Sequence, residues 1–478
     1  MDIIKRLFQK KRFIIIIALI FSLSLTIIYH SYKPLPQGTS YEGDIHRVEN
    51  IQFLYDLTYQ KGQRKIHERM IFGQISKAIE EADKFIVLDM FLFNSYTDSG
   101  TAYPPITAQL TEQIIKKKRQ NPSMPIVFLT DEINTTYGSH STKELNKLKQ
   151  NGIEIVITNL EKLRDSNPLY SSVWRLFFQW FGQAGDGWIP NPMAKEAPKV
   201  TARSYLKLLN VKANHRKVIA TDKTTIISSA NPHDESGFHS NVAFQVNGNI
   251  IRDVLESEQA VADFSEGTEL PSYKAGAKEQ GNISVQLLTE RKILKHILQT
   301  LQQARAGDQI WIAMFYLADR QIINGLVEAS KKGADIRLIL DPNANAFGRE
   351  KIGLPNRPVA AELVEDSGKR IAIRWYNTHK EQFHPKMMML VGKRETTIIS
   401  GSANFTERNL DNYNLETNLK ITAPNQAQVS QDVLHYFMRL WNNTDGIFTL
   451  PLRSYEDETT PSKRVLYAFQ KLFKFTTY

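Results

Sequence analysis

Residues Asn214–Asn231 read NHRKVIATDKTTIISSAN, and residues His384–Asn404 read HPKMMMLVGKRETTIISGSAN. Each stretch opens on a His-x-Lys triplet and closes on nearly the same apolar run, TTIISSAN over Thr224–Asn231 and TTIISGSAN over Thr396–Asn404. Side chains two apart on an extended backbone share a face, so His215 looks the same way as Lys217, and His384 the same way as Lys386. A lysine within an apolar strand calls for an anionic partner.

Outward from these stretches the chain presents one series of elements twice. In the first pass a helix near 72–82 leads to an apolar strand over 85–93. A helix over 106–119 follows, then a strand over 126–130 ending at Asp131 and another over 153–158. In the second pass a helix over 290–304 leads to a strand over 309–317. A helix over 321–332 follows, then a strand over 336–340 ending at Asp341 and another over 371–376. Agreement in order and type implies an internal duplication. Apolar strands separated by helices imply an α/β fold whose sheets are mostly parallel and covered on both faces. The expected organisation is a cytoplasmic tip and membrane anchor over 1–31, a stalk over 32–50, and a first half over 51–263 with an aromatic insertion at 160–205. A linker over 264–282, a second half over 283–450 and a basic amphipathic tail over 451–478 complete it.

Composition bounds the function only loosely. The chain has 478 residues, 42% hydrophobic and 23% charged, enough for several core-forming units. A formal charge of +10 suits phospholipid surfaces or nucleic acid and selects neither; a solvated basic surface accounts for it equally well. There is no cysteine, which excludes disulfides, thiolate chemistry and any Cys-ligated zinc.

Phe13–Tyr29, FIIIIALIFSLSLTIIY, carries no charge and is preceded by Lys5, Arg6, Lys10, Lys11 and Arg12. Its length just covers a hydrocarbon core. The basic flank predicts a single span with the N-terminus in the cytoplasm and the rest of the chain outside the cell membrane. A cleaved signal peptide is the alternative, with Ser22 and Ser24 as small residues, but both lie inside the apolar run and the uncleaved anchor is favoured. The insertion contains SVWRLFFQWFGQAGDGWI over Ser172–Ile189, with Trp174, Trp180 and Trp188. It reads either as an interface-seeking loop or as a small helix packed on the core. Lys463–Phe475 is amphipathic and basic, suited to an anionic membrane or to covering the protein's own core.

The paired motifs resemble those of the phospholipase D superfamily, H-x-K-x4-D followed by G-S-x-N, present twice per active unit. His215, Lys217, Asp222, Ser229 and Asn231 match in the first half. His384, Lys386, Gly401, Ser402, Asn404 and the N-L-E at Asn414–Glu416 match in the second. The resemblance implies two halves packed as one pseudo-twofold unit, with catalytic His215, Lys217, His384, Lys386, Asn231, Asn404, Glu416 and Asp222. It further implies substrate contacts from Ser229 and Ser402, and no metal or cofactor. Glu416 would orient His215, making His215 the nucleophile and His384 the general acid. The corresponding first-half position is read as Ala243, which leaves His384 without a partner unless Asp234 or Glu235 substitutes. The sequence departs from the pattern at Val391 in place of Asp, at Ser228 in place of Gly, and in extra residues at Gly392–Glu395.

These residue types suit phosphodiester chemistry. Neutral imidazole attacks phosphorus, a protonated imidazole supplies the leaving alkoxide's proton, and lysines and amides hold the non-bridging oxygens. Asp131 and Asp341 read as turn or capping residues. His379 reads as surface, and His46, His67, His140, His233, His239, His296 and His435 carry no assigned role. Three functions compete. The first is a phospholipase D-like hydrolase or phosphatidyltransferase acting on phospholipid, including transfer of the cardiolipin synthase type. The others are a nuclease and a non-catalytic binding protein. An external domain behind a membrane anchor favours lipid over nucleic acid. A single chain suffices for one site.

Overall fold

The computed structural model describes residues 2–97, 101–194, 197–276, 280–346 and 349–455. Helix α1 (Asp2–Tyr32) and strand β1 (His46–Val48) come first. The first half runs β2 (Gln52–Lys61), β3 (Arg64–Arg69), α2 (Ile71–Glu81), β4 (Ile86–Met90), α3 (Ile106–Gln120), β5 (Ile126–Thr130), α4 (Lys143–Gln150) and β6 (Glu154–Ile157). The insertion follows as α5 (Pro168–Val173), a π-helical turn at Trp174–Phe178, and α6 (Ala202–Leu208). β7 (Lys217–Thr221), β8 (Thr225–Ser228), β9 (Asn241–Val246) and α7 (Ile250–Phe264) close this half. The second half opens with β10 (Ile283–Thr289), α8 (Arg291–Gln303), β11 (Gln309–Met314), α9 (Arg320–Lys331) and β12 (Asp335–Leu340). A ribbon of β13 (Asn345–Ala346) and β14 (Arg349–Glu350) leads to α10 (Asn356–Asp366), β15 (Ile371–Tyr376), β16 (Lys386–Val391) and β17 (Glu395–Gly401). The half ends with α11 (Glu407–Leu410), β18 (Thr417–Pro424), α12 (Gln428–Asn442) and β19 (Thr449–Pro451).

The two halves share one topology. The first sheet has the order β3-β2-β9-β8-β7-β4-β5-β6 and the second β1-β10-β18-β17-β16-β11-β12-β15-β19. Strand alternation sorts the core into layers. Val87, Val218 and Phe244 of the first sheet share a central core with Trp311, Met387 and Leu419 of the second, whereas Ile86, Leu88 and Ile219 face α2 and α3. Ile310 and Ile312 likewise face α8 and α9. The two sheets therefore pack face to face, with helices on their outer sides.

The expectation of mostly parallel sheets is corrected. Among the described residues only β4-β5-β6 and β11-β12-β15, the strands joined through helices, are parallel. The motif strands β7-β8-β9 and β16-β17-β18 follow one another as antiparallel neighbours. The turns at Thr221–Thr224 and Gly392–Glu395 are too short for a crossover connection. The stretch expected as a stalk is also tied down: β1 extends the second sheet along β10, and the Tyr41 amide donates to Thr289 Oγ1 at 2.6 Å. The basic tail expected beyond Tyr455 lies outside the described residues. Lys10–Tyr32 is long and apolar enough to cross a membrane and is not buried against the rest of the chain.

Two departures from the repeat pattern have physical causes. The extra residues of the second half sit in the β16–β17 turn, where the Gly392 amide donates to Glu395 O at 3.0 Å, at the far end of β16 from His384. Ser228 pairs opposite Ala243, whereas Gly401 pairs opposite Asn418. A Cβ on Gly401 would lie 2.2 Å from Thr417 O and 2.6 Å from Asn418 Cα. We expect Gly401→Ala to cost roughly 1–3 kcal/mol through overpacking; an unchanged midpoint in thermal unfolding would contradict this packing.

Candidate active site

The two histidines enter the space between the halves through a reciprocal backbone exchange. The His215 amide donates to Leu415 O at 2.9 Å, and the His384 amide donates to Ser240 O at 2.8 Å. Each accepting residue directly precedes the side chain that backs the same imidazole. Glu416 lies with Oε1 2.9 Å from His215 Nδ1, and Asn241 with Oδ1 3.1 Å from His384 Nδ1. In both cases a side chain of one half orients the imidazole of the other.

Behind each imidazole stands a lysine. Lys217 Nζ donates to His215 O at 2.6 Å, and Lys386 Nζ to His384 O at 2.9 Å; both lysines are fully buried. An aromatic ring packs against each pair. Phe91 lies 4.9 Å from the His215 ring and 4.9 Å from Lys217 Nζ, and Phe315 lies 5.0 Å from the His384 ring and 5.3 Å from Lys386 Nζ. The ring faces give each ammonium partial compensation. Burial still dominates the electrostatics. It brings His215 down to about 4, opposed by Glu416, and Lys217 down to about 7. His384 and Lys386 are lowered well below their ordinary values by the same cause, with the neighbouring lysine adding to it in each case. The site is short of negative charge, so a bound anion would favour the protonated form of these groups.

His215, His384, Asn231 and Asn404 line one cavity of about 310 Å³. The Oδ1 atoms of Asn231 and Asn404 are buried and find no hydrogen-bond partner. Buried amides are ordinarily satisfied, and two unsatisfied ones at equivalent places in the halves mark where a polar ligand fits. The first-half wall is largely apolar, with Phe91, Leu92, Ile133, Met193, Leu208 and Leu209.

Residues 277–441, which run from the end of the linker through most of the second half, match a family model described as "Cardiolipin synthase, PLD-like domain". This segment of the chain is phospholipase D-like. No curated protein matches the sequence. Among solved structures, phosphatidylserine synthase from Haemophilus influenzae Rd KW20 aligns over 92% of this chain and 97% of its own, with 12% identity and a TM-score of 0.56. At that identity the likeness concerns the fold alone. Nuc from Salmonella typhimurium, described as a phospholipase D family member, is 20% identical over 35% of this chain and 97% of its own, with a TM-score of 0.27. Polyphosphate kinase from Porphyromonas gingivalis is 12% identical over 89% of this chain and 53% of its own, with a TM-score of 0.44.

Not every residue of the paired motifs reaches the cavity. Asp222 sits at the opposite end of β7 from His215, where Oδ1 accepts from the Asp83 and Lys84 amides at 2.9 and 3.0 Å. It anchors a loop, which is why Val391 can stand in its place in the second half. Ser229 and Ser402 are fully buried behind the cavity. Ser229 donates to Asn241 Oδ1 at 3.1 Å and Ser402 donates to Glu416, so both serines hold the residues that hold the imidazoles. Asp131 caps the turn after β5, with Oδ1 accepting from Ile133 N at 2.7 Å, and Oδ2 accepts from Asn214 N at 2.6 Å. Asp341 does the same with Asn343 N at 2.6 Å and Phe383 N at 2.7 Å. Each aspartate thus clamps the residue just before a motif histidine.

The first-half counterpart of Glu416 is Asn241, two residues before Ala243. Both residues follow a carbonyl that receives the opposite histidine's amide, and both accept from a motif serine. The register of β9 against β8 and of β18 against β17 makes Ala243 the equivalent of Asn418, which puts Asn241, not Ala243, in the place of Glu416. Phe91 and Phe315 were also missed, although the repeated Met-Phe at 90–91 and 314–315 was visible. His233 and His239 line the cavity. His239 is brought down to about 3 by burial and accepts from the Gln382 amide at 3.3 Å, while His233 Nε2 donates to Tyr96 O at 2.7 Å. Neither has a repeated partner in the sequence to single it out.

The middle residue of the first triplet ties the site to the core. Arg216 is fully buried between Glu258 at 3.2 Å and Glu290 at 2.9 Å. Glu290 Oε1 also accepts the Glu416 amide at 3.0 Å, and Oε2 accepts the Ser40 amide at 2.6 Å. Glu290 itself adopts φ 45°, a conformation a non-glycine residue holds only when its surroundings enforce it. Glu258 and Asp89 are neighbouring buried carboxyls, both raised by burial. Removing one partner of a buried charge network leaves the others uncompensated. Arg216→Met is therefore expected to destabilise the protein by about 3–5 kcal/mol, measured by denaturant unfolding; a loss under about 1 kcal/mol would show that the carboxylates are not held by it.

Proposed function

We propose that this chain is a membrane-attached phosphodiesterase or phosphatidyltransferase of the phospholipase D type, acting on phospholipid headgroups through a covalent phosphohistidine. The observation that carries this reading is the pair of imidazoles in one cavity, backed by chemically different partners, Glu416 and Asn241. His215, held neutral by burial with Nδ1 turned to a carboxylate, has Nε2 available to attack phosphorus. As the N–P bond forms, the ring becomes cationic, and Glu416 stabilises that charge. His384 is backed by a neutral amide, so its imidazolium stays acidic enough to hand its Nε2 proton to the alkoxide as the P–O bond breaks. Water or a lipid alcohol then attacks the phosphoryl group, giving its proton to His384 and returning the electron pair of the N–P bond to His215. Asn231 and Asn404, with Lys217 and Lys386 behind the rings, would stabilise the non-bridging oxygens.

The apolar cavity wall and α1 favour a lipid substrate over nucleic acid, and the basic residues that precede the apolar run within α1 favour a domain outside the cell membrane. One chain furnishes both half-sites. Incubation of the purified full chain with labelled phosphatidylglycerol, phosphatidylcholine and single-stranded DNA separates the possibilities. We expect a lipid product from wild type and none from His384→Ala. Cleaved DNA with intact lipid would make the protein a nuclease, and activity persisting in the variant would end the mechanism.

The assignment of roles has its own test. A carboxylate placed behind His384 raises the affinity of that ring for its proton. Asn241→Asp should therefore move the alkaline limb of the kcat profile to higher pH. An unmoved limb would mean that His384 is not the acid. Glu416→Gln should lower kcat by about 100-fold or more with KM little changed; a change confined to KM would remove Glu416 from this role.

A further inference from the structure

The 160–205 insertion forms both a cavity wall and an exposed aromatic surface. Pro192, Met193, Leu208 and Leu209 line the cavity. A few residues earlier, Trp180 is 73% exposed, Phe181 71% and Trp188 75%, joined by exposed Leu169, Phe177 and Phe178. Among the described residues outside α1, the large apolar side chains exposed to this degree number eleven, and these six fall within twenty residues of chain. The stretch Leu176–Pro190 carries a single charge, Asp186. Such concentration is far from the usual scatter of single exposed apolar residues.

The surface is held in place rather than loose. The Gly185 amide donates to Ser139 O at 2.8 Å, and Ile189 and Val200 exchange backbone hydrogen bonds at 3.1 and 2.8 Å. Its base is fastened to the end of α1. The Asp165 amide donates to His30 O at 3.0 Å, Lys33 Nζ to Glu161 O at 2.7 Å, and Arg164 Nε to Lys33 O at 2.8 Å. Arg175, in the π-helical turn, pairs with Asp165 at 2.9 Å. The apolar helix thus leaves the domain at the root of the aromatic segment, with Ile28, Tyr29 and Tyr32 exposed beside it.

We propose that Trp180, Phe181 and Trp188 dock into the headgroup zone of the same bilayer that takes α1, turning the insertion side of the cavity toward the lipid surface. Aromatic rings partition into that zone, and continuity with an unburied apolar helix identifies the occupant as lipid rather than a second protein. The inference rests on reading α1 as a span and is independent of the reaction. Trp174, Trp311 and Trp375 are buried and Trp441 is half-buried against the central core, so Trp180 and Trp188 dominate any emission accessible to lipid.

The full chain is reconstituted into phosphatidylcholine–phosphatidylglycerol vesicles with or without brominated acyl chains near the headgroup. Vesicle flotation and tryptophan emission are read for wild type and for W180F/W188F, which keeps the apolar surface. Docking predicts that brominated lipid quenches a component of wild-type emission by twofold or more, and that the component is absent from the double variant. Flotation with equal quenching in both proteins, or with none, overturns the docking alone, including the case of a second copy covering the patch. Failure to float overturns the span and the docking together.

Discussion

The site depends on an exchange between the halves: the backbone of each motif histidine is paired with, and its ring oriented by, a strand entry of the opposite half. His215 with Leu415 and Glu416, and His384 with Ser240 and Asn241, form two copies of one arrangement. Neither half alone contains an oriented imidazole. The shared central core keeps the two sheets in register for this exchange, and the buried Arg216–Glu290 pair fixes the backbone of Glu416 from behind. Packing and site geometry are therefore one problem, because a shift between the sheets would separate each histidine from the residue that orients it.

This explains which parts of the site could be read from the chain. His215, Lys217, His384 and Lys386 repeat at fixed spacing because each triplet enters an equivalent strand. The helices and parallel strands were legible because their apolar periodicity survives duplication. The antiparallel return through β7-β8-β9 and β16-β17-β18 was not legible as such, because fully buried strands show no alternation and only the short β7–β8 and β16–β17 turns fix polarity by their length. Asn241 was hidden by chemistry rather than position: a search for a second carboxylate passes over an amide. Ser229, Ser402 and Asp222 belong to the motif for what they hold in place, and a motif records that a residue type is needed without saying whether it faces the ligand.

The insertion shows the same limit from the other side. Its aromatic content allowed two readings, an accessory helix or a surface for lipid, because composition does not report exposure. Trp174, Trp180 and Trp188 lie within fifteen residues, yet one is buried and two are open to solvent. Trp174 closes the packing of the π-helical turn, and the chain beyond it is free to present its rings because Gly185 and Ile189 are tied back by their own backbone.

Duplication within one chain has a chemical consequence. In a site assembled from two identical chains, both histidines would be backed by the same residue and would differ only through the substrate. Here the two backing positions have diverged to Glu416 and Asn241 while the surrounding geometry is kept: the serine behind each, the aromatic ring beside each, and the aspartate clamping each strand entry. A carboxylate favours the cationic ring that forms when nitrogen bonds phosphorus, and an amide leaves the opposite ring ready to release its proton. Under the proposed mechanism, one substitution between otherwise equivalent half-sites is enough to give two like residues the unlike affinities that a nucleophile and an acid require. A single chain can carry that asymmetry permanently, before any substrate arrives.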